Sequence, residues 1–167
     1  YRQDRRGYDV IKKICGERNS ELYYGENTSV RVISQDITGS VISIKNDLCD
    51  IKEIFLPLIG EYQIKNCETA INAVCVLREL GAEISDENIV KGIAASRWNG
   101  RMEICSRSPL TVIDGAHNAD GVEMLAESVK KYFAGKRIVL LMGVLGDKEY
   151  EKMAAEIVPL ADAVVIT

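Results

Sequence analysis

The apolar positions of this chain change period three times, and those changes divide it. Tyr8, Val10, Ile11, Ile14 and Cys15 recur at helical spacing, and Gly16 is placed to close that helix. Leu22-Tyr23-Tyr24 before Gly25 reads as a short strand. Val30–Ile33 and Ser40–Ile44 are β-branched runs separated by Asp36 and Gly39, which predicts a hairpin. Ile54–Gly60 reads as a further strand, with Pro57 confining it to an edge or a bend. From Asn66 to Leu80 the period returns to 3.6. Cys67, Ala70, Ile71, Val74 and Leu77 share one helical face, widened by Ala73 and Val76, and Gly81 supplies the stop. Ser85 is a fitting N-cap, with Asp86 and Glu87 in the first turn of a shorter helix through Ile89, Val90, Ile93 and Ala94.

Beyond Arg97 the pattern alternates. Thr111–Ile113 is a strand; Val122, Leu125, Ala126, Val129 and Phe133 line a helix; Ile138–Met142 is a buried strand. Tyr150, Met153, Ala154 and Ile157 line another helix, and Ala163–Ile166 is a third strand. Strand–helix–strand–helix–strand with short links predicts a parallel sheet joined by crossovers. The fold class is therefore α/β. Three strands leave sheet surface and an edge uncovered, so the Rossmann-like half reads as incomplete. A first residue of Tyr1 and a terminal strand pattern with nothing after it both read as a piece of a longer protein.

Composition narrows the picture only slightly. The 167 residues hold 47% hydrophobic and 28% charged residues, ordinary for a globular chain. A net charge of −4 with no block of like charges gives no sign of a nucleic-acid partner. No apolar run reaches the ~20 residues that cross a bilayer. The five cysteines are odd in number and scattered, without a Cys-x-x-Cys pair; they read as free, buried thiols in a reducing, cytoplasmic setting. One His cannot complete a zinc site with them.

Chemistry concentrates between Arg97 and Asn118. Arg97-Trp98-Asn99-Gly100-Arg101-Met102-Glu103 looks like a joint, and Asp114-Gly115-Ala116-His117-Asn118 follows a strand and opens a helix. A strand–turn–helix junction presents backbone N–H groups to an anion. Arg101 is either a surface ion pair or a fork of donors aimed at phosphate oxygens. Asp114 either shapes its own turn or accepts ribose hydroxyls. His117, the only His, suits a capping or surface role by itself, and its place beside Asp114 and Asn118 also suits contact with a phosphate. Asn118 is the expected N-cap, and Trp98 reads as a packing pin. Gly146-Asp147-Lys148, after another strand end, reads as a cleft lining or a solvated loop. No Gly-x-x-x-x-Gly-Lys-Ser/Thr loop, Gly-x-Gly-x-x-Gly turn or Ser–His–Asp set is present.

Taken together, Trp98–Glu103 followed by Asp114–Asn118 resembles the signature of the folylpolyglutamate synthase/dihydrofolate synthase family, of the Mur ligase superfamily. Tyr1-Arg2-Gln3 with its helix, Leu56–Asn66, and Gly143–Tyr150 are similar to further blocks of that family, in the same order. The resemblance implies that residues 1–99 are the end of a central ATPase domain, with its β-hairpin. Residues 100–167 are then the start of a Rossmann-like C-terminal domain. It implies an ATP-dependent, amide-forming ligase that phosphorylates a folate or dihydropteroate carboxylate and joins L-glutamate to the acyl phosphate. It implies that Asn66 contacts adenine, Arg101 the phosphates and Asp114 the ribose side of ATP, with His117 near the phosphates. ATP and Mg²⁺ are the implied cofactors, with the phosphate loop, metal ligands and modified lysine upstream of Tyr1. The partners it implies are small molecules only, with no nucleic acid or membrane, and a monomer.

The sequence departs from the family pattern at three places. Tyr62 stands where many relatives carry His, Asn99 replaces a common Pro in the joint, and Ala119 replaces a frequent Pro in the first helical turn. A peptidoglycan-type Mur ligase and a non-catalytic nucleotide-binding module are the rival readings. The isolated piece is expected to lack ligase activity.

Overall fold

The structure is a computed structural model that describes residues 4–25 and 27–167. The Tyr1-Arg2-Gln3 resemblance lies outside the described residues. The chain forms two compact units: residues 1–34, 40–56 and 64–95 make one, and residues 35–39, 57–63 and 96–167 make the other.

Helix α1 (Arg5–Arg18) begins at Asp4, whose carboxylate accepts from the Gly7 amide at 2.8 Å. It runs through Gly16 and ends at Asn19, which adopts a left-handed φ of 52° while Ser20 donates to the Cys15 carbonyl. Asparagine tolerates that conformation, so the stop lies three residues beyond the expected glycine. Val10, Ile11 and Ile14 stay exposed, so the helical period there marks no core face. Leu22–Tyr24 is not a strand.

Strands β1 (Ser29–Asp36), β2 (Gly39–Lys45) and β3 (Asp50–Leu56) form one sheet in the order β1-β2-β3. The predicted hairpin turns at Ile37-Thr38, where Asp36 accepts from the Thr38 amide and hydroxyl at 2.6 Å. β2 and β3 pair antiparallel, with Ile42 opposite Ile54 and Ile44 opposite Ile51. The alternation buries Ile42, Ile44, Ile51, Ile54 and Leu56. The strand expected over Ile54–Gly60 is instead β3, Asp50–Leu56, an edge strand that ends before Pro57, whose ring nitrogen has no hydrogen to donate to a ladder.

Helix α2 (Glu61–Glu79) starts five residues before the expected point, directly after Gly60. Its buried stripe is Ile64, Cys67, Ile71 and Cys75, whereas Ala70, Ala73 and Leu77 face solvent. The observed face is thus one step around from the predicted one. Asn72 fixes the helix locally, accepting from Thr28 Oγ1 at 3.0 Å and Asn46 Nδ2 at 2.7 Å. Helix α3 (Asp86–Ala94) has the predicted Ser85 cap and packs against β3 through buried Ile89.

In the second unit, β4 (Glu103–Arg107) and β5 (Leu110–Ile113) make an antiparallel hairpin. Helix α4 (Ala119–Tyr132) leads to β6 (Val139–Met142). Helix α5 (Tyr150–Ile157) and a 3-10 turn (Val158–Leu160) then lead to β7 (Ala163–Ile166). β6 and β7 pair parallel and in register, Val139 with Ala163 through Met142 with Ile166. The expectation of a three-stranded parallel sheet is corrected here: among the described residues β5 pairs with β4, and only β6 and β7 are parallel. The polar run Glu103–Arg107 lacks the apolar alternation that marks a strand, so its pairing was hidden. Val122, Ala126, Met153 and Ile157 form the core between α4 and α5, with Leu140, Met142 and Val144 packed on it. Val139 and Leu141 point to the other, exposed face, so β6 is half-buried rather than buried. The α/β class stands.

Lys131, in the last turn of α4, bonds Gln35 at 2.6 Å and pairs with Glu61. One ammonium thereby gathers three distant stretches of the same unit. Among the described residues no helix is long and apolar enough to cross a membrane.

Candidate functional site

The site grows from the base of the β4–β5 hairpin. Glu103 and Ile113 are paired across it, so residues just before Glu103 and just after Ile113 must meet. Gly100 (φ +69°) and Met102 (φ +45°) both adopt left-handed backbone, and Arg101 lies between them. A non-glycine residue in that conformation costs on the order of 1 kcal/mol and needs surrounding contacts to hold it. Three hydrogen bonds supply them. The Gly100 amide donates to Glu103 Oε2 at 2.7 Å, the Gly115 amide to the Gly100 carbonyl at 2.7 Å, and the Met102 amide to Asp114 Oδ2 at 2.9 Å. The Met102 side chain is 1% exposed and anchors the turn in the interior.

Asp114 uses its second oxygen on its own turn: Oδ1 accepts from the Ala116 amide at 2.8 Å. The turn-shaping reading of Asp114 therefore holds, extended by the bond to Met102. Each carboxylate oxygen keeps a further lone pair, so a hydroxyl remains an acceptable partner. His117 is exposed, with Nδ1 3.0 Å from the Gly115 carbonyl. A carbonyl only accepts, so Nδ1 is the donor in that contact. Asn118 is the N-cap of α4 as expected, accepting from the Gly121 amide at 2.8 Å.

Arg101 is half-buried, and its guanidinium forms no salt bridge among the described residues. The surface ion-pair account of Arg101 thus finds no support. Tyr62, from the first turn of α2, shares the electrostatic environment of this turn. Burial first, then the Asp114 carboxylate, push its phenol up to about 12, while Arg101 and Gln63 act in the opposite sense. Its ring lies over Gly60, where an added Cβ would stand 2.6 Å from Tyr62 Cε1. Sequence alone gave Tyr62 only as a departure from a family pattern. Nothing local in its spacing announces a neighbour about 50 residues away.

Asn66 is exposed on α2, in the other compact unit from Arg101, Asp114 and His117. Trp98 is 58% exposed and so is not a packed pin. The loop after β6 carries Lys148, half-buried, paired with Asp147 at 2.9 Å. Ala116 and Val144 pack on the same core cluster, so the turns after β5 and β6 occupy one end of it.

Against known proteins, residues 100–167 match the Mur ligase family, glutamate ligase domain. Over 146 residues the chain is 37% identical to folylpolyglutamate synthase of Lacticaseibacillus casei, covering 87% of this chain and 34% of that one. The chain belongs to the folylpolyglutamate synthase/dihydrofolate synthase family of Mur ligases. The dihydrofolate synthase/folylpolyglutamate synthase of Bacillus subtilis is also 37% identical, over 127 residues, covering 75% of this chain and 30% of that protein. A solved FPGS–AMPPCP–folate complex superposes with a TM-score of 0.82 at 30% identity, covering 95% of this chain and 39% of that one. The chain spans about a third of the length of the curated relatives it matches. Membership of this family accords with the α/β class.

Proposed function

We propose that this chain is a segment of an ATP-dependent ligase that joins L-glutamate to the carboxylate of a folate or dihydropteroate through an acyl phosphate. The observation that carries the reading is the hydrogen-bonded turn around Arg101, which holds, beside a βα turn, a guanidinium with no salt-bridge partner among the described residues. Similarity to folylpolyglutamate synthases, one of them solved with an ATP analogue and folate, supports it.

In this reading Arg101 donates to phosphate oxygens as charge develops on them during phosphoryl transfer. That reaction needs positive charge and positioned donors more than covalent help. His117 offers Nε2 toward the same oxygens and donates when its ring is protonated. Asp114 keeps the Arg101 turn in place and accepts a ribose hydroxyl with a remaining lone pair. Asn66 reads the adenine edge through its amide. Among the described residues no cluster of three or more His, Cys, Asp or Glu could hold a metal ion. We place Mg²⁺, together with the phosphate loop, on parts of the ligase outside this chain. The working protein is proposed to be cytoplasmic and monomeric, acting on small molecules.

The test is ADP release by the ligase carrying this chain. Release that requires both a folate or dihydropteroate and L-glutamate is expected, and the chain by itself should give none. Turnover with a UDP-muramoyl peptide in place of the folate would favour the peptidoglycan-type reading instead. Arg101→Ala should raise the KM for ATP by roughly 10- to 150-fold, the range for losing a hydrogen bond to a charged group.

A further inference from the structure

We infer that Glu103 is a positioning residue for Arg101: its carboxylate holds the left-handed turn that carries the guanidinium, and it does so without pairing with the guanidinium itself. This rests on the reading of Arg101 as a phosphate ligand.

Three observations carry it. Glu103 Oε2 accepts from the Gly100 amide at 2.7 Å, a bond strengthened by the acceptor's charge. The nearest cation in sequence is Arg101, yet the two form no salt bridge, so the guanidinium is not neutralised by its neighbour. The opposite flank of Arg101 is held in the same manner, by Asp114 Oδ2 on the Met102 amide at 2.9 Å. Two carboxylates therefore grip the backbone on either side of Arg101, at Gly100 and Met102, both of which have positive φ. Glu103 is also the first residue of β4 and is paired with Ile113, so it ties the turn to the hairpin that ends in Asp114. Without the Glu103 carboxylate, the Gly100 amide loses its acceptor. Gly100 is free to leave φ +69°, and the aim of Arg101 relaxes.

Such a role differs from simple support of the fold, because it acts through one other residue. In the ligase carrying this chain, Glu103→Ala should raise the KM for ATP about tenfold, the scale of one charge-assisted hydrogen bond. Glu103→Gln, which keeps an oxygen acceptor at the same reach, should recover most of that loss. Glu103→Asp, one methylene short, should resemble the alanine variant. In an Arg101→Ala background each of these changes should alter the KM for ATP by less than about twofold, since there is no guanidinium left to aim.

If Arg101→Ala itself leaves the KM for ATP unchanged, the phosphate role of Arg101 fails, and the inference fails with it. If Arg101→Ala weakens ATP but the Glu103 effects persist unchanged in its background, Glu103 is only structural. The inference then fails while the proposed function stands. Should Glu103→Ala prove unable to fold, the Glu103→Asp and Glu103→Gln pair decides the question. Equal KM values for ATP in wild type and Glu103→Asp would overturn the inference.

Discussion

Gly115 donates its amide hydrogen to the carbonyl oxygen of Gly100 across 2.7 Å, which makes the turn before β4 and the turn after β5 one hydrogen-bonded piece. The approach is close enough that a Cβ on Gly115 would lie 3.3 Å from that same oxygen. A side chain there must push the two turns apart by a few tenths of an ångström.

Gly115→Ala is therefore expected to destabilise the protein by about 1 kcal/mol, typical of a local steric change away from the core. Thermal unfolding of the variant beside wild type checks it. An unchanged midpoint would mean that the two turns yield freely.

Asn118→Ala removes the acceptor of the Gly121 amide and should cost about 1 kcal/mol, the usual value of an N-cap. Asn118→Asp keeps an oxygen in place and should be close to neutral. A chemical-denaturation series of the three proteins separates these outcomes. The comparison is clean because Asn118 is exposed and carries no core packing.

Tyr62 should ionise late. Burial and the neighbouring Asp114 carboxylate raise its phenol from 10.0 to about 12. The folded state thus favours the neutral form. Its stabilising contribution is fully present below pH 10 and is lost as the pH climbs through 12. Subtracting the phenolate absorbance titration of Tyr62→Phe from that of wild type should give a midpoint near 12. A midpoint at the ordinary tyrosine value would contradict the placement of this ring.

The cysteines should react in two classes. Burial pushes the Cys67 thiol up to about 11, and burial with the adjacent Cys75 thiol pushes Cys49 up to about 12. Since the thiolate is the nucleophile, both should resist an aromatic disulfide reagent at neutral pH. Cys105 is exposed and should be labelled first, with Cys49, Cys67 and Cys75 labelled only after denaturation. Peptide mapping of the early product identifies the site, and early labelling of Cys67 would refute the assignment of classes.

Much of this was legible in the residues themselves. Ser85 and Asn118 cap the helices they were expected to cap, and the β-branched runs Val30–Ile33 and Ser40–Ile44 fall in the two strands of the expected hairpin. The misreadings have physical causes that the apolar pattern does not carry, some local and some tertiary. Gly16 sits within α1 because Asn19 makes the left-handed exit. Thr111–Ile113 pairs with a polar strand that no hydrophobic period marks. Met102 adopts a conformation that its residue type disfavours, held by Asp114 twelve residues later in the chain. At the proposed site, Arg101, Asp114 and His117 stand out by residue type, but their arrangement does not. The bonds that organise them run mainly through backbone amides, and backbone amides leave no trace in a sequence.

The second unit collects residues 35–39, 57–63 and 96–167, so no single scission can cut it away intact. A gene split or an expression boundary placed in the stretch around Asn99 would strand its two outlying segments with the wrong half. Lys131 would then lose Gln35 and Glu61 together. Complementation between two such halves would have to restore both attachments at once.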